Sequence, residues 1–208
     1  KTYGGCDCRG ARIHQICRTQ THVGLSLSTL SAFVRDNTIY QLRKMPCRLV
    51  ALDFDGVFSD GKFFFSRTSG EPSKCYNAKD AYALSMLRES GIKTGLLTKD
   101  KSNIELDNAF HVKDRFDMVS IGDTRSKLEI VEQLCSECGI TLEEVAYMGD
   151  DIPDIELLQR VGYSACPNDA IPPVKRASSI VIDKPGGGGA VREFAELIIQ
   201  KVQECDHI

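Results

Sequence analysis

The chain has 208 residues, 42% of them hydrophobic and 26% charged, with a net charge of -3. That is enough for one α/β domain with a proper core plus some appended sequence, at the balance of a soluble globular protein. No stretch reaches the ~18 apolar residues of a membrane-spanning helix, and the slightly acidic balance argues against a nucleic-acid partner.

The charge is unevenly spread. Residues 1–44 hold seven Lys/Arg against two Asp/Glu, which leaves 19 basic and 27 acidic side chains for the rest. This basic, acid-poor segment lacks a clear apolar period and reads as an N-terminal extension, poorly structured or a linker, ahead of a domain spanning 45–208. A linker, a fusion remnant and the remnant of an organellar transit peptide all fit its composition. The expected location is cytoplasmic, or organellar under the last of these readings.

From Arg48 onward short apolar runs alternate with amphipathic stretches, the pattern of a doubly wound, Rossmann-like parallel sheet. Residues 49–54 predict a first buried strand. Phe63, Phe64 and Phe65, a Ser-Gly-Glu-Pro turn at 69–72 and the segment 74–77 predict a β-hairpin, read as a flap near the site. A helix is expected over 80–90 with Ala81, Leu84 and Leu87 inward. Strands follow at 93–98 and 116–121, then a helix over 126–138 closed by Gly139. A strand at 145–148, a helix from 155, short strands at 163–166 and 179–182, and a helix over 190–202 complete the chain. In that last helix Val191, Phe194, Ile198 and Val202 share one face.

The sequence contains nine cysteines, an odd number. Cys47 and Cys166 fall in or beside core strands, and Cys135 and Cys138 sit at helical spacing on an apolar face. Buried, reduced thiols are expected rather than a zinc site, which would have to recruit Cys6, Cys8 or Cys17. Reduced thiols in turn point to a reducing compartment.

Chemistry gathers at the strand ends, where open α/β sheets bind ligands. The first strand runs out in Asp53-Phe54-Asp55-Gly56, two carboxylates two residues apart entering a Gly loop. Thr98 ends the second, ahead of a helix whose amides suit an anion. Lys127 opens the helix after the third. The fourth ends in Gly149-Asp150-Asp151, with Asp154 one turn on. Clustered carboxylates repel one another unless a cation joins them, and hard oxygen ligands beside a phosphate site point to Mg²⁺. Once the metal and Lys127 neutralise the phosphoryl oxygens, a carboxylate can attack phosphorus and form an aspartyl-phosphate.

These four stations resemble the motifs of the haloacid dehalogenase superfamily, over about residues 48–204. The resemblance implies that Asp53 is the nucleophile and that Asp55 protonates the leaving alkoxide and later activates water. It further implies that Asp53, the Asp55 carbonyl and Asp150 hold Mg²⁺, that Thr98 and Lys127 bind phosphate, and that Asp151 or Asp154 supports the metal shell.

Only 43 positions separate Asp55 from Thr98 and 29 separate Thr98 from Lys127, too few for a cap domain. The run from Asp53 to Gly61 and the tail Gly186-Gly187-Gly188-Gly189-Ala190-Val191-Arg192 are similar to one capless group, the 3-deoxy-D-manno-octulosonate (KDO) 8-phosphate phosphatases. That group includes nonulosonate 9-phosphate phosphatases and the C-terminal domain of acylneuraminate (sialic acid) cytidylyltransferases. The resemblance implies a small phosphorylated sugar-acid substrate and a homotetramer, with Gly187, Gly188, Gly189 and Arg192 reaching the substrate or a neighbouring subunit. The alternative it carries is a weakly or non-catalytic, tetramerising phosphatase-like domain of a cytidylyltransferase. Members of the group often have Thr/Ser-Gly-Arg where this chain has Thr98-Lys99-Asp100, Lys or Arg where it has Gly188, and Thr where it has Ser59.

Overall fold

The computed structural model describes residues 46–65, 67, 72–103 and 113–206, all within the unit Met45–Ile208. The expectations for residues 1–44, for 69–71 of the turn at 69–72 and for 104–112 after Thr98 therefore lie outside the described residues.

Six parallel strands make the sheet, β1 (Leu49–Asp53), β4 (Lys93–Thr98), β5 (Met118–Ile121), β6 (Val145–Met148), β7 (Tyr163–Pro167) and β8 (Ile180–Ile182), in the spatial order β5-β4-β1-β6-β7-β8. The strands run outward one way from β1 and then the other way from β6, the doubly wound order, and ligands of such sheets bind at this switch point. The helices are α1 (Ala78–Glu89), α2 (Lys127–Cys138), α3 (Ile155–Leu158), α4 (Pro172–Ala177) and α5 (Ala190–Asp206). β2 (Phe64–Phe65) and β3 (Pro72–Ser73) pair antiparallel as the expected hairpin.

Alternation along β1 divides the core. Val50 and Leu52 pack with Leu84 and Leu87 of α1 and Phe194 and Ile198 of α5. Leu49 and Ala51 pack with Leu128 and Val131 of α2 and Leu157 of α3. Successive side chains of a strand point to opposite faces, so Asp53 falls on the α2–α3 side. A register slip of one residue would carry it to the wrong face.

Most expected elements lie within two residues of their observed bounds, and the departures have local causes. Helix α1 begins earlier than expected, because the Asn77 side chain accepts from the Lys79 N–H at 2.9 Å and caps it. Its inward residues are Ala83, Leu84 and Leu87, with Ala81 only partly buried. Phe116 lies outside β5 and stands edge-on to Phe58, ring centroids 5.5 Å apart. The short α4 was not expected. Two prolines open it, where a missing N–H costs nothing.

Cys47, Cys135 and Cys166 are buried free thiols. Burial pushes the Cys47 thiol up to about 12, so it packs as a small apolar group.

Candidate active site

Asp53 ends β1 with 8% of its surface exposed. Lys127 stands at the first position of α2, which Ser126 and Glu129 fix by a reciprocal capping box. Its ammonium is 2.8 Å from Asp53 Oδ1 and 2.5 Å from Asp154 Oδ1. Asp154 is fully buried and accepts four donors. Tyr147 Oη (2.7 Å) joins Lys127 on Oδ1, while the backbone N–H groups of Asp150 (2.9 Å) and Asp151 (3.1 Å) meet Oδ2. One carboxylate thus pins Lys127 and folds the end of β6 around itself.

Asp53, Asp150 and Asp154 offer oxygens within 4.8 Å of one another. Burial raises Asp53 to about 7, against the pull of Lys127. Burial, with the charges of Asp53, Asp154 and Asp151, raises Asp150 to about 8. Burial would push the Lys127 ammonium down, but the Asp53 and Asp154 charges outweigh it and hold it above its ordinary value. Among the described residues, Asp150 Oδ1 is buried without a hydrogen-bond partner. An unpartnered oxygen inside an acidic cluster is the feature a bound cation would satisfy, so these residues fit a hard divalent ion. Asp53 and Asp150 would hold it. Asp154 already has both oxygens engaged and would act by orienting its neighbours.

The turn after β1 is shaped for this cluster. Asp55 is extended, Gly56 has φ 78°, and the Ser59 N–H closes onto Phe54 O at 2.8 Å. A Cβ on Gly56 would collide with the Asp150 carboxylate, so only glycine lets the two motifs approach. Thr98 ends β4 nearly buried, and its Oγ1 accepts from Asn103 Nδ2 (2.7 Å) and the Asp100 N–H (3.2 Å). With both acceptor positions used, its own O–H is left to donate into the cavity.

That cavity has a volume of about 400 Å³ and is lined by Asp53, Asp55, Thr98, Lys127, Asp150 and Asp154 among others. The structure thus gathers the predicted residues from four separate segments of the chain. Asp151 also lines it, accepting from the Ile152 N–H at 2.7 Å. The side chain of Asp55 turns away from the acidic cluster towards Lys74 and Asn103.

The glycine loop sits apart from these groups but against the same turn. Gly187 N–H donates to Val57 O at 2.9 Å, and a Cβ on Gly187 (φ 62°) would lie 2.5 Å from the Asp60 nitrogen. Gly189 and Arg192 N–H groups donate to the buried Asp80 carboxylate of α1 at 3.0 and 2.8 Å. The Arg192 guanidinium reaches Glu196 (2.7 Å) and the Tyr82 ring. Gly188 N–H turns back to Pro185 O.

Sequence reasoning missed Lys74, Asn103 and Tyr147. Alternation along β6 sets Tyr147 with Val145, and the β1–β6 register places that side on the Asp53 face. No local pattern marks the other two.

The profile of the haloacid dehalogenase-like hydrolases matches residues 117–194. The chain is 32% identical over 182 residues to 3-deoxy-D-manno-octulosonate 8-phosphate phosphatase KdsC of Escherichia coli, covering 85% of this chain and 90% of that one. Among solved structures it is similar to the Moraxella catarrhalis octulosonate phosphatase in complex with magnesium ion, phosphate ion and KDO. That likeness has 30% identity and a TM-score of 0.70, covering 82% of this chain and 95% of the other. The cobalt-bound Haemophilus influenzae phosphatase matches at 29% identity and TM-score 0.67, over 76% and 90% of the two chains.

Proposed function

Because this chain belongs to the haloacid dehalogenase-like phosphatases, we propose that it hydrolyses the phosphomonoester of a 2-keto-3-deoxy sugar acid. The substrate is of the octulosonate 8-phosphate or nonulosonate 9-phosphate type. As a phosphoric monoester hydrolase it needs a nucleophile, an acid and a phosphate cradle. The observation that carries the reading is the Lys127 ammonium between Asp53 and Asp154, beside an Asp150 oxygen that lacks a donor among the described residues.

Asp53 attacks phosphorus, and the ester bond breaks as Asp55 protonates the departing oxygen. Water then attacks the aspartyl-phosphate while Asp55 takes its proton. Thr98 and Lys127 bind the phosphoryl oxygens throughout. When bound, Mg²⁺ supplies charge neutralisation and a template for those oxygens.

A panel of sugar-acid phosphates tests the substrate, with an octulosonate or nonulosonate ester expected to turn over best. Failure on every panel member, with a folded protein and Mg²⁺ present, would favour the cytidylyltransferase-type assembly domain. Chelation is expected to abolish turnover and added Mg²⁺ to restore it. Full activity after exhaustive chelation would contradict the metal's role.

The working unit is proposed to be a homotetramer. Phe63, Phe64 and Phe65 are 46%, 48% and 70% exposed on the hairpin, and Tyr82 on α1 is 57% exposed. Adjacent strand residues face opposite ways, so the hairpin cannot cover all three rings, and an exposed apolar patch marks an interaction surface. Light scattering is expected to give four times the 23.0 kDa of one chain. A fully active species with the mass of one chain would overturn this.

A further inference from the structure

Lys74 follows β3 directly, and its side chain is only 2% exposed. An ammonium has three N–H donors, and each here has one acceptor: Asp55 Oδ1 at 2.5 Å, Asn103 Oδ1 at 2.7 Å and Asp100 Oδ2 at 3.0 Å. The Phe63 ring covers it, 4.2 Å from ammonium to centroid. Lys74 is not among the residues lining the cavity. With every donor used and almost no exposed surface, it meets no substrate directly. Its effect must pass through Asp55.

Asn103 completes the arrangement. Its carbonyl accepts from Lys74, while its amide donates to Asp55 Oδ2 at 3.0 Å and to Thr98 Oγ1 at 2.7 Å. The two Asp55 oxygens are therefore gripped by different partners, one from the hairpin and one from the segment after β4. A fully satisfied polar network of this kind fixes one geometry. Asp100, at a position where similar enzymes often carry Arg, serves this ammonium. Its carboxyl is held low, against burial, by Ser102 and Lys74.

We propose that Lys74 is a positioning residue that, with Asn103, holds the Asp55 carboxyl in the orientation proton transfer needs. The inference rests on the reading of Asp55 as general acid. In the step concerned, an Asp53 oxygen bonds to phosphorus as the ester P–O bond breaks. The bonding electrons pass to the ester oxygen, which takes the Asp55 proton, and Lys74 keeps its own protons throughout.

The test compares kcat/KM for a sugar-acid phosphate and for p-nitrophenyl phosphate, whose phenolate departs without a proton. Asp55→Asn is expected to lose about 10²–10⁴-fold on the alkyl ester and far less on the aryl ester. Lys74→Met should show the same split, with an alkyl loss of about tenfold or more, as expected for a misplaced catalytic group. Lys74→Arg and Lys74→Gln, with smaller losses, keep the comparison available where the methionine variant does not fold. If Asp55→Asn shows the split but the Lys74 variants lower both esters alike, Lys74 is only structural and the inference is overturned. If Asp55→Asn shows no split, the acid reading itself falls and the inference falls with it.

Discussion

Asp53→Asn is expected to lower turnover on the order of 10⁴-fold or more, the scale of nucleophile removal, while the fold persists. The amide is nearly isosteric with the carboxylate but is a poor nucleophile, and it still accepts from Lys127 through its oxygen. The same variant should also unfold at a higher temperature than the parent in metal-free buffer at pH 8. Burial raises Asp53 to about 7 in the folded protein, so the fold binds that proton more tightly than the unfolded chain does. A carboxyl raised in this way contributes stability below its unfolded value near 3.8, and that contribution is lost as pH rises towards 7. Asparagine is neutral at every pH, so the gap in melting temperature should open as pH rises from about 4 and be fully open above about 7. Thermal melts of both proteins across that range decide it. A parent more stable than the variant at pH 8 without metal would show that Lys127 outweighs desolvation.

Asp154→Ala is expected to have the largest effect on stability. It leaves the Tyr147 hydroxyl, two backbone N–H groups and one side of a buried ammonium without their acceptor. Removing one partner from a buried charged pair costs about 3–5 kcal/mol, a large share of ordinary domain stability. For a domain of this size that corresponds to a fall of roughly 10 °C or more in melting temperature. Asp154→Asn should be little better, because its amide can face only one of two sets of donors. Turnover should fall as well, since Lys127 and the Asp150 backbone lose the group that orients them. A melting temperature within about 2 °C of the parent, less than 1 kcal/mol for this size, would mean that water replaces the carboxylate without loss.

Much of this site is legible in the sequence, because its signals are local. Asp53 and Asp55 straddle the end of a buried run, Gly139 ends one helix as a left-handed cap, and Asp150 and Asp154 lie around the end of another strand. Strand alternation groups Asp53 with Leu49 and Ala51, and Tyr147 with Val145, each on one face of its own strand. Period, capping and turn chemistry are properties of a few consecutive residues, so a single sequence contains them.

Other features required the tertiary structure. Lys74 meets Asp55 across 19 positions of sequence and Asn103 across 29. Asp80 caps α5 across 112 positions, at Arg192. The resemblance implies only a reach towards substrate or subunit for the glycine loop, whereas in the fold Gly186 and Gly187 are needed because the turn after β1 approaches them too closely for a side chain. Asp154 read as a support for metal, and the fold makes it the acceptor that organises Lys127 and the end of β6. Hydrogen bonds and close backbone approaches between distant segments leave no periodic trace in the residues that make them. They exist only once sheet order and register bring those segments to one end of the molecule, which is why the sequence by itself determined the chemistry of the strand ends and the tertiary structure decided how they are held.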